Sequence, residues 1–199
     1  MASLREAKKR ATRQALADAA ARLVVQRDSD ALTVANIAHS AGVSPRTFHN
    51  YFSSASDALL HFSAGVLSTF TEQLPAIYPG ATVNEFFISL MLDVLGDKEK
   101  ELHSLPTLFF IRETIENLNH SAEERKKYES VGQAVLEAFA RREPDVDELE
   151  LSIILSAHAG ACAIIMQHVD ARQEAGAPLS AEQQKELVNR AFAALREIS

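Results

Sequence analysis

The sequence predicts an all-α protein, and two observations favour that class. Seven glycines and six prolines in 199 residues are about half the usual share, which disfavours a fold of short strands and tight turns. Apolar residues instead recur at spacings of three and four along most of the chain, as they do on one face of a helix. With 47% hydrophobic and 24% charged residues, the composition is that of a globular protein and excludes a disordered one.

The first predicted helix covers residues 4–27. Ser3 and Glu6 have the spacing of a capping box at its start. The segment Asp28–Asp30 follows it, and such short polar side chains favour turns over helix interiors. The apolar residues that share one face of this helix are Leu16, Ala19, Ala20, Leu23 and Val24.

Two short helices joined by a tight turn come next. Thr33 is a suitable N-cap for the second helix, and Gly42 stands where a helix ends in a left-handed residue. Ser44 then caps a third helix, which has Pro45 at its first position and runs to about Phe52. This pattern predicts a helix-turn-helix unit.

The third helix has an apolar side and a polar side. Phe48 and Phe52 are four residues apart and are expected to point inward. The outer surface then carries hydrogen-bonding groups of the kind that contact bases and phosphates, although any surface helix carries polar residues. The outward residues are Ser44, Pro45, Arg46, Thr47, His49 and Asn50.

Charge is divided unevenly along the chain. The net charge of −7 argues against a general nucleic-acid binder. Residues 1–62, however, hold 8 Lys and Arg against 5 Asp and Glu, whereas residues 63–199 hold 12 against 22. Five of the basic residues lie between Arg5 and Arg13, enough to meet phosphates, or else to form a solvated face of the first helix.

The remaining two thirds of the chain also reads as helices. A fourth helix continues through Leu60 until Pro75 stops it, and Thr82 begins a helix that ends at Gly96. Another begins near Pro106 and reaches Leu118. A longer one, capped by Ser121 and Glu124, contains Val131, Val135 and Phe139.

The last two predicted helices contain many small residues. Leu151–Val169 has no charged residue and is about long enough to span a bilayer. Its polar side chains, its acidic lead-in and the lack of Trp or Tyr at its ends favour a helix buried between protein surfaces. Ser180 caps the final helix. The small residues that permit close helix approach are Ser156, Ala157, Gly160 and Ala161.

From Thr12 to Leu60 the chain resembles the DNA-binding domain of the TetR family of bacterial transcriptional repressors. The resemblance covers about a quarter of the chain, and the helical pattern of the whole length fits the family as well. It implies a helix-turn-helix domain over residues 1–60 and a helical ligand-binding and dimerisation domain over 61–199. The matching elements are Thr12–Leu23, Leu32-Thr33-Val34, Ile37-Ala38, Ala41-Gly42-Val43-Ser44, Thr47-Phe48, Tyr51-Phe52 and Leu59-Leu60.

The resemblance assigns DNA contacts to two kinds of residue. Arg46 is the best candidate for reading a guanine, and it shares the base-facing role with Ser44, Pro45 and Thr47. The residues expected to hold phosphates, or to reach the flanking backbone or minor groove, are Thr33, His49, Asn50, Tyr51, Lys8, Lys9 and Arg10.

Two positions depart from the family pattern. His49 stands where the family commonly has a Tyr that meets a phosphate, which introduces some pH dependence. Ala55 stands where the family usually has a Lys at the start of the fourth helix. The neighbouring serines and the helix N-terminus remain possible phosphate donors, so we expect weaker non-specific affinity.

In the family, the later helices enclose a ligand cavity and form a dimer. The dimer helices are expected over residues 147–173 and 180–198. An apolar or amphipathic effector suits the aromatic and sulfur-containing side chains of residues 61–199. Each of these side chains is also consistent with ordinary core packing. The candidate lining residues are Phe86, Phe87, Met91, Phe109, Phe110, Arg112, His158, Cys162 and Met166.

Other chemistry finds little support in the sequence. His158 and Cys162 are too few for a metal site, the single cysteine fits a reducing compartment, and no cofactor is expected. The first ten residues lack the apolar core of a signal peptide, so we expect a cytoplasmic protein. The resemblance implies that this cytoplasm is bacterial. No catalytic motif supports an enzyme.

The sequence therefore predicts a homodimeric, ligand-responsive repressor that binds a palindromic operator. Two alternatives stay open. One is a helical module that binds a protein partner, and the other is a regulator of the same family that activates or needs no ligand.

Overall fold

The computed structural model describes residues 4–26, 32–96, 102–118 and 121–198. The described residues form helices joined by turns and short connections, without a strand, and this confirms the all-α prediction. The helices are α1 (Leu4–Val25), α2 (Val34–Ser40), α3 (Pro45–His49), α4 (Ala55–Gln73), α5 (Val83–Gly96), α6 (Leu105–Asn117), α7 (Ala122–Ala140), α8 (Glu148–Glu174) and α9 (Ala181–Ile198).

Local capping signals mark most helix starts correctly. At five of them the cap hydroxyl accepts a hydrogen bond from the backbone N–H three residues later, at 3.1–3.3 Å. Each bond satisfies an N–H that the helix itself leaves without a partner. The predicted Ser3 cap and the Asp28–Asp30 turn lie outside the described residues. The five capping residues are Thr33, Ser44, Thr82, Ser121 and Ser180.

Packing divides the chain into two units. The first, here called the N-terminal unit, contains Met1–Thr69 and Glu101–Gly132, and the second, the C-terminal unit, contains Phe70–Lys100 and Gln133–Ser199. The divisions fall inside α4 and α7. These units describe packing, and a functional boundary at residue 60 stays a prediction.

The core of the N-terminal unit joins the helix-turn-helix to a later helix. Leu16 and Ile37, on α1 and α2, are fully buried together with Phe48 of α3. Ile111 and Ile115 of α6 belong to the same core, at 0% and 3% exposure. Although α6 lies within residues 61–199, the range expected to form the second domain, it packs on α1 in the N-terminal unit and buries these side chains there.

The core of the C-terminal unit is rich in aromatic rings. Phe86 and Phe87 of α5 contact Phe139 of α7, with ring centroids 5.4 and 6.0 Å apart. His158 of α8 lies against Phe192 of α9 at 5.6 Å. Such ring pairs add to the stabilisation that burial of their area already gives.

One arginine fixes the connection between α4 and α5. The Arg142 guanidinium donates to the carbonyl oxygens of Ile77, Tyr78 and Ala81 at 2.6–2.9 Å and lies over the Phe86 ring, 5.1 Å from its centroid. Tyr78 has a positive φ of 47°, which costs energy for a residue with a side chain. The arginine therefore adds charged donors to the carbonyl oxygens of a connection that consists of a short 3-10 helix, Leu74–Ala76, and a turn.

The helix α8 has two apolar faces. By length and composition alone it is long and apolar enough to cross a membrane. One face is buried within the C-terminal unit through residues such as Leu155, Cys162 and Ile165. Leu149, Ile153 and Ile164 on the other face are 61–69% exposed. Packing within the C-terminal unit explains the buried apolar residues. It does not explain the exposed ones, Leu149, Ile153 and Ile164.

We expect Arg142→Met to lower the free energy of unfolding by about 2–3 kcal/mol, because the segment 77–81 would lose a charged donor to several carbonyl oxygens. Urea unfolding followed by circular dichroism measures this change. Arg141→Met is the matched control, since it removes the same charge from an exposed neighbouring residue. Equal stability of the two variants would show that the carbonyl contacts contribute nothing.

Candidate nucleic-acid interface

The turn between α2 and α3 is set by one glycine. Gly42 adopts a φ of +69°, a conformation that glycine takes without steric cost. The N–H of Val43 donates to Ala38 and that of Gly42 to His39, at 2.9 and 3.0 Å, which closes the end of α2 as a Schellman motif. The turn therefore fixes the direction in which the chain enters α3.

The helix α3 is held by its apolar side. Phe48 is fully buried and Phe52, just beyond the helix, is 2% exposed, as predicted. Ser44 caps α3 through the N–H of Thr47, and the two hydroxyls lie 2.9 Å apart. Because the phenylalanines point inward, the opposite side of α3 faces solvent. The exposed residues of α3 and its flanks are Ser44, Pro45, Arg46, His49 and Asn50, and Thr47 is half-buried.

The basic start of α1 and the end of α3 border one groove. This groove is open and has a volume of about 720 Å³. Of the predicted DNA-contacting residues, it brings together Lys8, Lys9, Asn50 and Tyr51. It adds Arg5, which the sequence analysis counted only as part of a charged run. The other lining residues are Leu4, Glu6 and Thr12.

Two further predicted contacts lie outside the residues that line the groove. Arg10 is exposed on α1. Thr33 is exposed at the start of α2, where its oxygen accepts the Asn36 N–H at 3.2 Å. A hydroxyl that accepts in this way still has its own hydrogen to donate. The predicted residues thus lie on α1 and α3 or beside the ends of α2 and α3, and their contacts with DNA stay a prediction.

A layer of cationic and aromatic side chains lies beneath α3. The Arg13 guanidinium is 5.2 Å from the centre of the Phe52 ring, and the His61 ring is 5.5 Å from it. Burial lowers the pKa of His61 below its usual 6.5, and the positive charges of Arg13 and Lys127 lower it further, against the opposing attraction of Asp57. Protonation of His61 would place another positive charge beside two existing ones.

The N-terminus of α4 is occupied by carboxylates. The N–H and O–H of Ser53 donate to the Asp57 carboxylate at 3.0 and 3.1 Å, and the Lys127 ammonium approaches its other oxygen at 3.0 Å. Ser54 accepts the Asp57 N–H at 3.0 Å and donates its hydroxyl hydrogen to Glu124. Although burial opposes ionisation, these hydrogen bonds hold the pKa values of both carboxyls below their usual range.

This arrangement bears on whether neighbouring groups replace the phosphate-binding lysine that the family usually has at the position of Ala55. A hydroxyl has one hydrogen, and Ser53 and Ser54 have already donated theirs to Asp57 and Glu124. The suggestion that the serines replace the lysine as phosphate donors is therefore not supported in this structure. Two buried carboxylates also place negative charge at the N-terminus of α4, where a phosphate would otherwise be favoured.

The residues predicted to line a ligand cavity divide between the two units. Those on α6, namely Phe109, Phe110 and Arg112, belong to the N-terminal unit, and the side chains of the two phenylalanines lie outside the described residues. The members in the C-terminal unit are all 0–8% exposed. They are Phe86, Phe87, Met91, His158, Cys162 and Met166.

Cys162 and His158 lie on the buried face of α8, one helical turn apart. Burial raises the pKa of the Cys162 thiol to about 12, so this cysteine is an unreactive apolar side chain at neutral pH. In the parts of the chain that the structure describes, no three His, Cys, Asp or Glu side chains are grouped as a metal site would need.

The sequence analysis missed the residues that join distant parts of the chain. Glu124 contacts Ser54, and Lys127 contacts Asp57; each pair is separated by 70 residues and meets at the N-terminus of α4. His103, before α6, approaches Asp18 of α1 at 3.1 Å. The capping-box spacing of Ser121 and Glu124 was recognised, but it indicates only a helix start. Nothing in the spacing indicates which distant residue the carboxylate will contact.

Comparisons with known proteins agree with this geometry. Residues 16–59 match the family model described as bacterial regulatory proteins, tetR family. That match spans α1 from Leu16 through the start of α4, and so includes the whole helix-turn-helix. No curated protein sequence matches the chain.

Two solved structures have a similar fold over nearly the whole chain. One is a fatty acid degradation regulator, FadR from Bacillus halodurans, with a TM-score of 0.57 and 17% identity over 92% of this chain and 94% of that one. The other is SmeT in a complex with triclosan, with a TM-score of 0.54 and 16% identity over 92% and 91%. At such identities the likeness establishes the fold.

We expect the free energy of unfolding to fall as the pH drops from 7.5 to 5.5. The folded state depresses the pKa of His61, so between that pKa and the usual 6.5 the unfolded state binds more protons and is favoured by acid. Urea unfolding at both pH values should show a smaller loss for His61→Gln than for the wild type. His39→Gln, at an exposed position on α2, is the control and should behave as the wild type. Identical losses in all three proteins would contradict the role of His61.

Proposed function

Because the chain is a DNA-binding transcriptional regulator of the TetR family, we propose that it acts as a homodimeric, ligand-responsive repressor of a palindromic operator. The observation that carries the proposal is the presentation of α3. A glycine turn, a serine cap and two buried phenylalanines hold this short helix with its polar side exposed, next to a groove lined by three basic residues. Helices of this kind read the major groove of DNA.

In the proposed complex α3 reads bases. Arg46 is exposed near the N-terminus of α3 and carries a planar pair of donors, which suits the two acceptors on the major-groove edge of guanine. Ser44, Pro45 and Thr47 surround it. Phosphate contacts come from Thr33, His49, Asn50 and Tyr51 at the ends of α2 and α3. These contacts set the position of the helix, whereas the base contacts set its specificity.

The basic start of α1 is proposed to replace the missing contact at α4. Arg5, Lys8 and Lys9 line the same groove as Asn50 and Tyr51, so one stretch of the DNA backbone is able to meet all of them. Arg10 extends the positive surface along α1. The carboxylates at the N-terminus of α4 make that point a poor phosphate site, and α1 is therefore expected to carry most of the electrostatic attraction.

A dimer through α8 and α9 accounts for the exposed apolar face of α8. At 100° per residue, Leu149, Ile153, Ser156, Gly160 and Ile164 fall within an arc of about 80°. Large apolar residues at both ends and small residues in the middle suit close contact with a second helix. An exposed stripe of this kind marks an interaction surface.

The second copy of the chain is the proposed occupant of that stripe. Residues 147–173 and 180–198 would pair with their copies as a four-helix bundle. A twofold dimer presents two α3 helices, and sites one turn of DNA apart, about 34–36 Å, require a roughly palindromic operator.

The effector is proposed to be a small apolar or amphipathic molecule. The support is the aromatic and sulfur-containing interior of the C-terminal unit, and the fact that one protein of similar fold was solved with triclosan bound. A ligand acts by favouring a dimer whose α3 helices are wrongly spaced, through a coupling of about 1–3 kcal/mol or more. The protein would work in the bacterial cytoplasm.

Selection of random duplex DNA by the purified protein tests DNA recognition. We expect a palindromic site to be enriched and to be bound less tightly as salt rises. Arg46→Ala should weaken binding to this site by about 1–3 kcal/mol and relax the preference at one base pair in each half. Arg22→Ala, which removes the same charge from an exposed position near the end of α1, should leave the preference unchanged.

An unchanged selection profile for Arg46→Ala would remove this residue from the base contacts. Absence of enrichment at low and at high salt would contradict operator binding by this form of the protein and favour the alternative in which the helix-turn-helix binds a protein partner.

The dimer is tested by introducing charge into the α8 stripe. Ile153→Glu and Ile164→Glu should each convert the dimer to a monomer, because an unpaired carboxylate is costly to bury in an interface. Sedimentation velocity measures the mass, and operator binding should weaken in parallel. Gln133→Glu on the exposed side of α7 adds the same charge elsewhere and should stay dimeric. A dimer in both isoleucine variants would exclude this stripe as the interface.

A further inference from the structure

His158 is a buried polar side chain at the point where α5, α8 and α9 pack together. It is 8% exposed. Its ring lies 5.2 Å from the Phe87 ring on α5 and 5.6 Å from the Phe192 ring on α9, nearly parallel to the second at 29°. These elements all belong to the C-terminal unit. The imidazole is therefore enclosed by aromatic surface, where each of its nitrogen atoms needs a partner.

The hydrogen bond at Nδ1 determines which of the two ring nitrogens carries the hydrogen in the neutral imidazole. Nδ1 of His158 lies 2.7 Å from the carbonyl oxygen of Ile154. A carbonyl oxygen only accepts, so Nδ1 must carry the hydrogen and donate it. In the neutral ring Nε2 then has no hydrogen and is an acceptor. Nε2 of the neutral imidazole consequently requires a hydrogen-bond donor.

The partner of Nε2 in this structure is the side-chain amide of Asn84. The distance from Nε2 to the amide oxygen is 3.3 Å, but two acceptors do not bind each other. With a neutral ring, the bond forms only when the amide presents its NH₂ group to Nε2, an orientation that is assigned from hydrogen bonding. Asn84 is half-buried in the first turn of α5, so its side chain is able to move aside for a different donor.

We infer that His158 and Asn84 form the polar end of the effector site and select molecules that carry a hydroxyl group on an aromatic ring. The inference rests on the proposed ligand-responsive function and names the class of ligand. The hydroxyl donates to Nε2 of His158 and accepts a hydrogen from the amide of Asn84. The ring of the ligand stacks among Phe87 and Phe192.

Other polar groups match this site less well. An ionised carboxylate has only acceptors and would meet the lone pair of Nε2, and its charge would have to enter aromatic surroundings. A protonated amine carries donors but has the same cost of burial. A neutral hydroxyl supplies one donor and one acceptor without a charge. A methyl ether of the same shape has no donor and would leave Nε2 buried without a partner.

Binding at this point would act directly on the helices of the C-terminal unit. His158 is on the buried face of α8, and the exposed apolar stripe is on the other face of the same helix. A ring inserted beside His158 has to displace the aromatic side chains packed between α5, α8 and α9, because these side chains already contact one another. The helix α8 would thus contact the ligand on one face and the second subunit of the proposed dimer on the other.

The test uses two probes of matched shape, 4-tert-butylphenol and 4-tert-butylanisole. We expect isothermal titration calorimetry to show that the full-length protein binds the phenol at least about tenfold more tightly than the ether. His158→Phe should bind both alike, and Asn84→Ala should reduce the preference. His168→Phe, at an exposed position on the same helix, is the control and should keep the preference of the wild type.

A second measurement does not depend on any variant folding. In long-range ¹H–¹⁵N spectra of the wild type, the Nε2 resonance of His158 should shift when the phenol is added and stay in place with the ether, while His168 is unaffected by both. Equal affinity for the two probes, no binding of either, a preference that survives in His158→Phe, or an unmoved Nε2 resonance would each overturn the inference.

The experiment also separates this inference from the proposed function. If the phenol binds with the expected preference and operator affinity does not change, the binding site at His158 is supported. Ligand-responsive repression by phenols is then contradicted. If other compounds release the operator while the phenol shows no preference over the ether, the repressor stands and the assignment of His158 to the ligand falls.

Discussion

The burial of two phenylalanines is the constraint on which the proposed DNA-binding surface depends. The helix α3 has only five residues, and a helix of that length does not persist in water on its own. Phe48 and Phe52 place it against α1 and α2 and remove it from solvent on one side. The exposed positions of Arg46, His49 and Asn50 are a consequence of that packing, and the Ser44 cap and the Gly42 turn only set where the helix begins.

The α4 N-terminus is occupied by side chains of the protein itself. With Ala55 in place of a lysine, this helix end lacks a long cationic side chain, and the positive pole of α4 is satisfied from within the protein. Asp57 and Glu124 accept from Ser53 and Ser54, and Lys127 of α7 offsets the charge of Asp57. An element that the resemblance associates with DNA thus becomes a joint between helices of the N-terminal unit. In the proposed complex with DNA, the basic groove at α1 is therefore the main electrostatic attraction for the phosphate backbone.

Local features of this fold were predictable from the sequence, and contacts between distant residues were not. Helix starts at Thr33, Ser44 and Thr82 follow from caps, because the interaction spans three residues and needs no knowledge of the rest of the chain. The bond between Ser54 and Glu124 spans 70 residues, and the position of α6 against α1 depends on which apolar faces meet. Hydrophobic periodicity identifies such a face but does not identify its partner. For the same reason, the cavity residues predicted from the sequence include some on α6, in the N-terminal unit, and others in the C-terminal unit.

Two apolar faces on α8 account for a segment as apolar as a membrane span. A helix that buries one face in its own unit needs apolar residues over part of its circumference, and a second interface on the opposite face requires them there as well. Few positions are then left for charged residues, and a charge-free run such as Leu151–Val169 results. In the proposed dimer, this composition has a mechanical consequence. A rigid helix packed on both faces cannot shift on one face without changing the contacts of the other, and a ligand that repacks the surroundings of His158 is thereby linked to the spacing of two subunits.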